Sequence, residues 1–367
     1  MAEDSVHATT FYYDYDESTS FGQLIFLCDK EDVLQFGVWF LPGFYSLVFT
    51  LSLVGNGLVL CVLLKYENMR NATTVFILNL ACSDLVFTVS LPFWAVYHSS
   101  EWIFGDALCK VLSGAFFIGF YSSIMFLTVM AIDRFLAVVY ATTVPRARKA
   151  HYAIVTSITI WSFSVVIAIP EFLFSGTTKV HTDGSTLCEH IDFLGKHKLI
   201  WSLLQLFLQT VLFFLVPFSI ISFCYCRIMK TLIRCRTERK HRALKVIFSI
   251  TLVFFFCWAP YTVVVVLKAL QDFNVHVFTE CEVSKKLDYA WYVTRSLAYF
   301  HSCFNPVLYS FVGTEFQRRM RSLFLWCGSP EWGTGTDFRP RIFSHSSAHS
   351  TRDISIGSNR ARISTIV

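Results

Sequence analysis

The sequence predicts an all-α membrane protein: a seven-transmembrane helix bundle with a short amphipathic helix behind the last span. Three observations predict it. Of 367 residues, 54% are hydrophobic and only 16% charged, too apolar a balance for a soluble chain. Apolar stretches long enough to cross hydrocarbon, about 20 residues for a helix, alternate with charged loops. The Lys and Arg residues collect on alternate loops, which gives the spans one common sidedness.

The chain opens with an acidic tail, residues 1–32, in which Glu3, Asp4, Asp14, Asp16, Glu17, Asp29, Glu31 and Asp32 stand against a single base, Lys30. No apolar run precedes residue 33, so no cleaved signal is expected and the first span serves as the targeting signal. The spans fall at 33–64, 72–97, 111–132, 152–174, 199–226, 246–270 and 287–312. All must be helices, because hydrocarbon cannot satisfy an open backbone. Between the fifth and sixth spans lie Arg227, Lys230, Arg234, Arg236, Arg239, Lys240, Arg242 and Lys245, and between the third and fourth lie Arg146, Arg148 and Lys149. Both loops belong in the cytoplasm, which leaves the acidic tail outside and the C-terminus inside. The net charge of +5 therefore sums two opposed ends and does not point to nucleic acid.

Residues 33–312 read as one domain, with short loops and no internal repeat. Over 313–327, Phe316, Met320, Leu323 and Phe324 recur at helical spacing with Arg318, Arg319 and Arg321 on other faces, the pattern of a helix lying on the inner leaflet. Over 328–367 the composition turns to Gly, Ser, Thr and Arg without apolar periodicity, and a disordered cytoplasmic tail is expected.

The topology puts Cys28, Cys109, Cys188 and Cys281 in oxidising space, and four cysteines allow three pairings. Ionisable groups inside spans are costly and mark function by default. Asp84, with Asn56, Ser123 and Asn305 at similar depth, fits either a sodium ion or a hydrogen-bonded network without one. Arg295, about three turns before Asn305, fits either an anionic ligand group or an internal pair. Pro92, Pro170, Pro217, Pro260 and Pro306 each remove a backbone bond mid-span and place kinks there. The histidines are scattered, no nucleophile stands with a base, and no metal cluster is argued, so neither an enzyme nor a resident cofactor is expected. Asn71-Ala72-Thr73 matches a glycosylation acceptor but falls on the cytoplasmic side, and Cys327 is a palmitoylation candidate by position alone.

Five motifs in order carry a resemblance: Gly55-Asn56 in span one, Asn79-Leu80-Ala81-Cys82-Ser83-Asp84 in span two, Asp133-Arg134-Phe135 ending span three, Cys257-Trp258-Ala259-Pro260-Tyr261 in span six and Asn305-Pro306-Val307-Leu308-Tyr309 ending span seven. Over residues 28–326 the chain resembles the rhodopsin-like G-protein-coupled receptors. Leu91-Pro92-Phe93-Trp94, Trp102 with Phe104-Gly105, and His301-Ser302-Cys303-Phe304-Asn305-Pro306 narrow the resemblance to the chemokine receptors. Thr9-Thr10-Phe11-Tyr12-Tyr13-Asp14 and Arg295, where many CC-type members carry Glu, make it most like the XC type, the receptors of lymphotactin; a CC-type receptor is the alternative. Three departures stand out. Phe135 replaces the usual Tyr, Ser90 replaces a Thr while keeping a hydroxyl that can bond backward, and Tyr299 stands where opsins bind retinal.

The resemblance implies a plasma-membrane receptor that binds a small basic chemokine outside and activates a heterotrimeric G protein, of the inhibitory class, inside, driving calcium signalling and chemotaxis. It implies the disulfides Cys109–Cys188 and Cys28–Cys281, and capture of the ligand on Tyr12, Tyr13 and Tyr15, with sulfation adding charge that steers a basic partner. It implies a bundle pocket at Trp94, Tyr97, Phe116, Tyr261 and Arg295. Its switch would be Asp133 holding Arg134 at rest, with Arg134 swinging toward Tyr225 and Tyr309 as span six moves about Trp258 and Pro260 beside Asn305 and Pro306. Arrestin would follow phosphorylation of Ser344, Ser346, Ser347, Ser350 and Thr351. A chemokine scavenger that signals to no G protein is the alternative of another class, disfavoured by the largely intact Asp133–Val139 segment.

Overall fold

The structure, a computed structural model, describes residues 28–67, 69, 71–140, 149–180, 184–190, 198–234, 241–273, 275–312, 317–320 and 322. The spans are α1 (Glu31–Tyr66); α2 (Ala72–Thr88) with α3 (Leu91–Ser99); α4 (Gly105–Val139); α5 (Lys149–Phe174); α6 (Lys198–Phe207) running through a π-helical segment (Leu208–Leu215) into α7 (Val216–Arg234); α8 (His241–Asp272); and α10 (Cys281–Val312). A short α9 (His276–Thr279) joins the last two, and residues 317–320 continue as helix beyond α10. By its contacts the chain divides into Met1–Leu325 and Trp326–Val367, and every described residue lies in the first unit.

The helices outrun the apolar stretches that mark them. α4 begins at Gly105 and ends at Val139, where hydropathy delimits 111–132, because a helix closes its own hydrogen bonds and continues into water once the hydrocarbon ends. Among the described residues six helical stretches are long and apolar enough to cross a bilayer, and α10 is not one of them. Its apolar share is diluted by Asp288, Arg295, Ser296, His301, Ser302 and Asn305, all buried toward neighbouring helices. The lipid-facing surface is supplied by residues such as Leu51, Val54, Val166, Phe223 and Phe256, exposed as apolar solvent requires.

Pro170 and Pro260 lie inside continuous helices, and the other prolines meet the backbone in different ways. In the second span α2 stops at Thr88 and α3 starts at Leu91 with Pro92 in its first turn, while Ser90 Oγ donates to the Phe87 carbonyl at 2.8 Å, the backward bond expected of it. Pro42 sits inside α1, a sixth proline within a span that the sequence reading passes over. Pro217 stands two residues past the π-helical segment; its ring has no N–H and crowds the preceding turn, where the wider segment Leu208–Leu215 lies. Pro306 leaves the Ser302 carbonyl four residues earlier without its helical donor, and Asn56 Nδ2 donates to it from α1 at 3.0 Å. Beside Asn56, a Cβ on Gly55 would stand 2.8 Å from the Pro306 ring, so only glycine lets α1 approach α10 this closely.

α4 is the central helix, packing against α2, α5, α7, α8 and the hairpin β1 (Ser175–Lys179) with β2 (Thr186–His190). Asn79 ties α2 to α5 by accepting from Trp161 Nε1 at 2.9 Å and donating toward Ser157 Oγ at 3.3 Å. The hairpin, antiparallel with Thr177 opposite Cys188, is absent from the sequence reading: its five-residue strands are too short and too polar for a periodic signal.

Candidate ligand-binding vestibule and intracellular switch

At the outer end, Cys109 in the first turns of α4 is bonded to Cys188 on β2, and Cys28 to Cys281 at the start of α10, the two pairs the resemblance implies. The hairpin is also held by the first outer loop. Glu101 Oε2 accepts from the Thr186 amide at 2.7 Å, Asp106 Oδ1 from the Thr177 amide at 3.0 Å, and Trp102 N–H donates to the Thr186 carbonyl at 2.9 Å. Gly105 takes φ +79°, a left-handed turn that starts α4 and presents its carbonyl to Trp102 Nε1 at 2.8 Å.

Below this rim the five predicted pocket residues fall on one aromatic wall. Trp94 lies 6.0 Å from Tyr97 and 5.4 Å from Trp102, ring centre to ring centre; Phe116 meets Tyr299 at 5.3 Å; Tyr261 meets Trp291 at 5.2 Å. Arg295 joins the three groups. Its guanidinium sits 5.8 Å from the Trp291 ring and 5.9 Å from the Tyr45 ring, and Nη2 lies 2.9 Å from His98 Nε2. An arginine can only donate, so that ring nitrogen accepts and His98 is neutral there. Tyr97 in turn packs 5.4 Å from His98, and Tyr45 packs 5.4 Å from Tyr299. Tyr45, His98, Trp291 and Tyr299 are thus wall residues that sequence reasoning missed. Trp291 could have been found as the residue one turn before Arg295, whereas Tyr45 and His98 come from other helices and carry no local signal. Glu171 was missed as well: a buried carboxylate near the outer end of α5 that accepts from Gln205 Nε2 at 3.3 Å.

At mid-depth, Asp84 Oδ2 accepts from Asn305 Nδ2 at 2.6 Å and Oδ1 from Ser123 Oγ at 3.2 Å, with His301 Nε2 at 3.9 Å. The structure gathers Ser123 and Asn305 on the carboxylate, while Asn56 donates to Ser52 and Ser302. Above it Trp258 packs tilted against Phe120, at 4.2 Å, and stacked on Phe254, at 5.7 Å.

At the inner end, Arg134 Nη2 donates to Thr73 Oγ1, Thr73 Oγ1 reaches Asp133 Oδ2 at 3.5 Å, and Arg134 Nε lies 4.0 Å from the same carboxylate oxygen. Asn71 accepts from the Thr73 amide at 3.2 Å as the N-cap of α2, a structural use of the Asn-Ala-Thr triplet. Tyr225 is buried with its ring 4.9 Å from Phe248. Beyond α10, Arg319 pairs with Glu67 at 2.9 Å. Tyr12, Tyr13, Tyr15, Cys327, Ser344, Ser346, Ser347, Ser350 and Thr351 lie outside the described residues, as does the side chain of Tyr309.

Residues 55–309 match the family described as 7 transmembrane receptor (rhodopsin family). The chain is 41% identical to C-C chemokine receptor type 4 of Homo sapiens over 300 residues, 82% of each chain. It is 40% identical to C-C chemokine receptor type 1 of Homo sapiens over 318 residues, 86% of each chain. With C-C chemokine receptor type 3 of Macaca mulatta it shares 40% over 299 residues, 81% of this chain and 83% of that one. These matches give the XC assignment no support and favour its CC-type alternative; Arg295 is one position weighed against some 300 aligned ones. With two outer disulfides, seven spans and a match covering more than half its length, this chain belongs to the rhodopsin family of seven-transmembrane receptors, in its chemokine-receptor branch.

Proposed function

We propose that this receptor binds a C-C-type chemokine at its outer face and activates a heterotrimeric G protein of the inhibitory class at its inner face. Likeness to C-C chemokine receptors over four-fifths of both chains carries the reading. The N-terminal tail lies outside the cell and captures the basic ligand through Tyr12, Tyr13 and Tyr15 among their acidic neighbours. The ligand's flexible end then enters between Trp94, Tyr97, Phe116, Tyr261 and Arg295. Arg295 replaces the Glu common at this place in CC-type members, so the group it orients is a carboxylate or a carbonyl rather than an ammonium.

Signalling moves Arg134 away from Asp133 and Thr73 as α8 swings, opening a cleft for the G protein. Phosphorylation of the C-terminal serines then recruits arrestin. Asp84, Ser123 and Asn305 have the hard oxygen donors that suit a sodium ion, which in that site stabilises the resting state. The fit extends to Asn56 Oδ1, a buried oxygen without a hydrogen-bond donor.

A calcium-flux screen of chemokines with and without pertussis toxin tests the main reading: a C-C chemokine gives a response that the toxin abolishes. A response to an XC-type chemokine alone would return the XC reading, and binding without nucleotide exchange would favour the scavenger. Arg134→Ala should abolish nucleotide exchange while ligand binding stays within about threefold, a difference of roughly 0.7 kcal/mol. Sodium should lower agonist affinity in the native receptor and leave Asp84→Asn unaffected; equal sodium sensitivity in both would remove the ion from this site.

A further inference from the structure

The outer rim holds a charge cluster that ligand capture and the Arg134 switch do not use. Asp288, in the second turn of α10, is 2% exposed, as buried as much of the apolar core. Its Oδ2 accepts from Lys30 Nζ at 2.7 Å and its Oδ1 from Lys268 Nζ at 2.9 Å. Lys30 Nζ also donates to Ser284 Oγ at 2.7 Å, and Ser284 Oγ accepts from Gln271 Nε2 at 2.6 Å. Lys268 stands 5.0 Å over the Trp291 ring, the same ring that faces Arg295. Three segments therefore meet on one carboxylate: the base of the N-terminal tail, two residues past Cys28; the outer turn of α8; and the first turns of α10.

The neighbouring pair of Lys285 with Asp32, 3.2 Å apart, gives the contrast. There the carboxylate is more than half exposed, and water competes for both groups. At Asp288 water is nearly excluded, so the carboxylate depends on its two lysines. The disulfide Cys28–Cys281 already fixes the tail to α10. What Asp288 adds is α8, the helix whose inner end must move for Arg134 to leave Asp133.

We propose that Asp288 is a positioning residue that couples the base of the N-terminal tail to the outer end of α8, through Lys30 on one oxygen and Lys268 on the other. A protein that engages the tail then acts on α8 from the rim, without a group inside the pocket. This rests on the reading of the tail as the capture site, but the coupling itself is a property of the empty receptor. Its sign follows from the inner end. Arg134 here lies against Thr73 and Asp133, the resting arrangement, so the rim contacts belong to the resting state and their loss lowers the cost of leaving it.

The test uses the full-length receptor, purified without ligand and with both disulfides verified by non-reducing peptide mapping. Amide hydrogen exchange is followed in peptides covering residues 262–273, together with basal nucleotide exchange on added G protein. Lys30→Gln, 238 positions away in sequence from Lys268, should speed exchange in those α8 peptides about as much as Lys268→Gln does. The double variant should do no more than the stronger single one, because both act through one carboxylate. Each should raise basal nucleotide exchange about two- to fivefold, roughly 0.4 to 1 kcal/mol. Asp288→Glu should restore most of the native behaviour where Asp288→Asn does not, and if Asp288→Asn fails to reach the membrane the lysine variants still decide.

Lys30→Gln that leaves the α8 peptides at the native rate, or effects of the two lysines that simply add, would overturn the coupling. Unchanged basal nucleotide exchange in both lysine variants would overturn its link to the switch. Neither readout needs a chemokine, so a failure here is distinct from a failure of the ligand reading, which the calcium screen reports.

Discussion

At its outer end the bundle is joined by two disulfides and by a buried carboxylate shared between two lysines; at mid-depth the same helices are joined by small neutral groups around Asp84, Asn56 and Asn305. The two halves solve different problems. The outer half borders water and must stay open for a protein ligand, so its elements meet only at the rim and need strong, few links. The mid-depth network lies in a dry interior where each polar group must be satisfied on the spot, and where a change of state only exchanges one weak partner for another. An open vestibule is thus held by few, strong links, above a core held by many weak ones.

The sharpest way to break this contrast is to remove an outer link. Cys109→Ser should cost about 2–5 kcal/mol, the usual loss for a native disulfide, and release the hairpin from α4. Surface expression measured by antibody against the outer face should fall severalfold, and the purified fraction should melt lower. Near-native expression and melting would mean that Glu101, Asp106 and Trp102 suffice to hold the hairpin, and that the rim is less dependent on covalent links than argued.

The inner links should cost less one at a time. Asn56→Ala withdraws the donor that serves the Ser302 carbonyl, which Pro306 has left without its helical partner. A buried acceptor left unsatisfied costs about 1–3 kcal/mol. Thermal melting of the detergent-solubilised receptor should drop accordingly, and Asn56→Leu, which keeps the bulk and offers no donor, should rescue nothing. A melting point unchanged in Asn56→Ala would show that the carbonyl finds another donor, and that the interior is wetter than its burial indicates.

The two halves also differed in how well they could be read. Asp84 is legible because lipid cannot solvate a polar group, whereas Gly55-Asn56 and Asn305-Pro306 are legible only as motifs, and the close helix approach and the donor for the Ser302 carbonyl come from the structure. The span pattern is legible from apolar stretches between charged loops, and this reaches even α10, a span diluted by buried polar groups. The π-helical turn before Pro217 was not, since a widened turn leaves no mark on composition, and neither was the hairpin. The outer wall was half legible. Trp94, Tyr97, Phe116, Tyr261 and Arg295 were named, but what sets Arg295 comes from Tyr45 on α1, His98 on α3 and Trp291 on its own helix, and only the fold brings α1 and α3 to it. Lys30 read as a lone base in an acidic tail, and its partner Asp288 lies 258 residues away.

The smallest expected effect bears on that wall. His98 holds Arg295 by accepting one hydrogen bond, and a neutral imidazole does this without cancelling the guanidinium charge. His98→Leu keeps the apolar bulk against Tyr45 and Tyr97 and removes the acceptor. Losing one such bond to a charged group should lower agonist potency about tenfold, roughly 1.4 kcal/mol, with the maximal response retained. His98→Gln places an amide oxygen near the position of Nε2 and should recover most of that loss. If the effect arose from packing alone, His98→Leu would be the milder of the two variants. A leucine receptor more potent than the glutamine one would therefore show that Arg295 is held by its aromatic neighbours and not by His98.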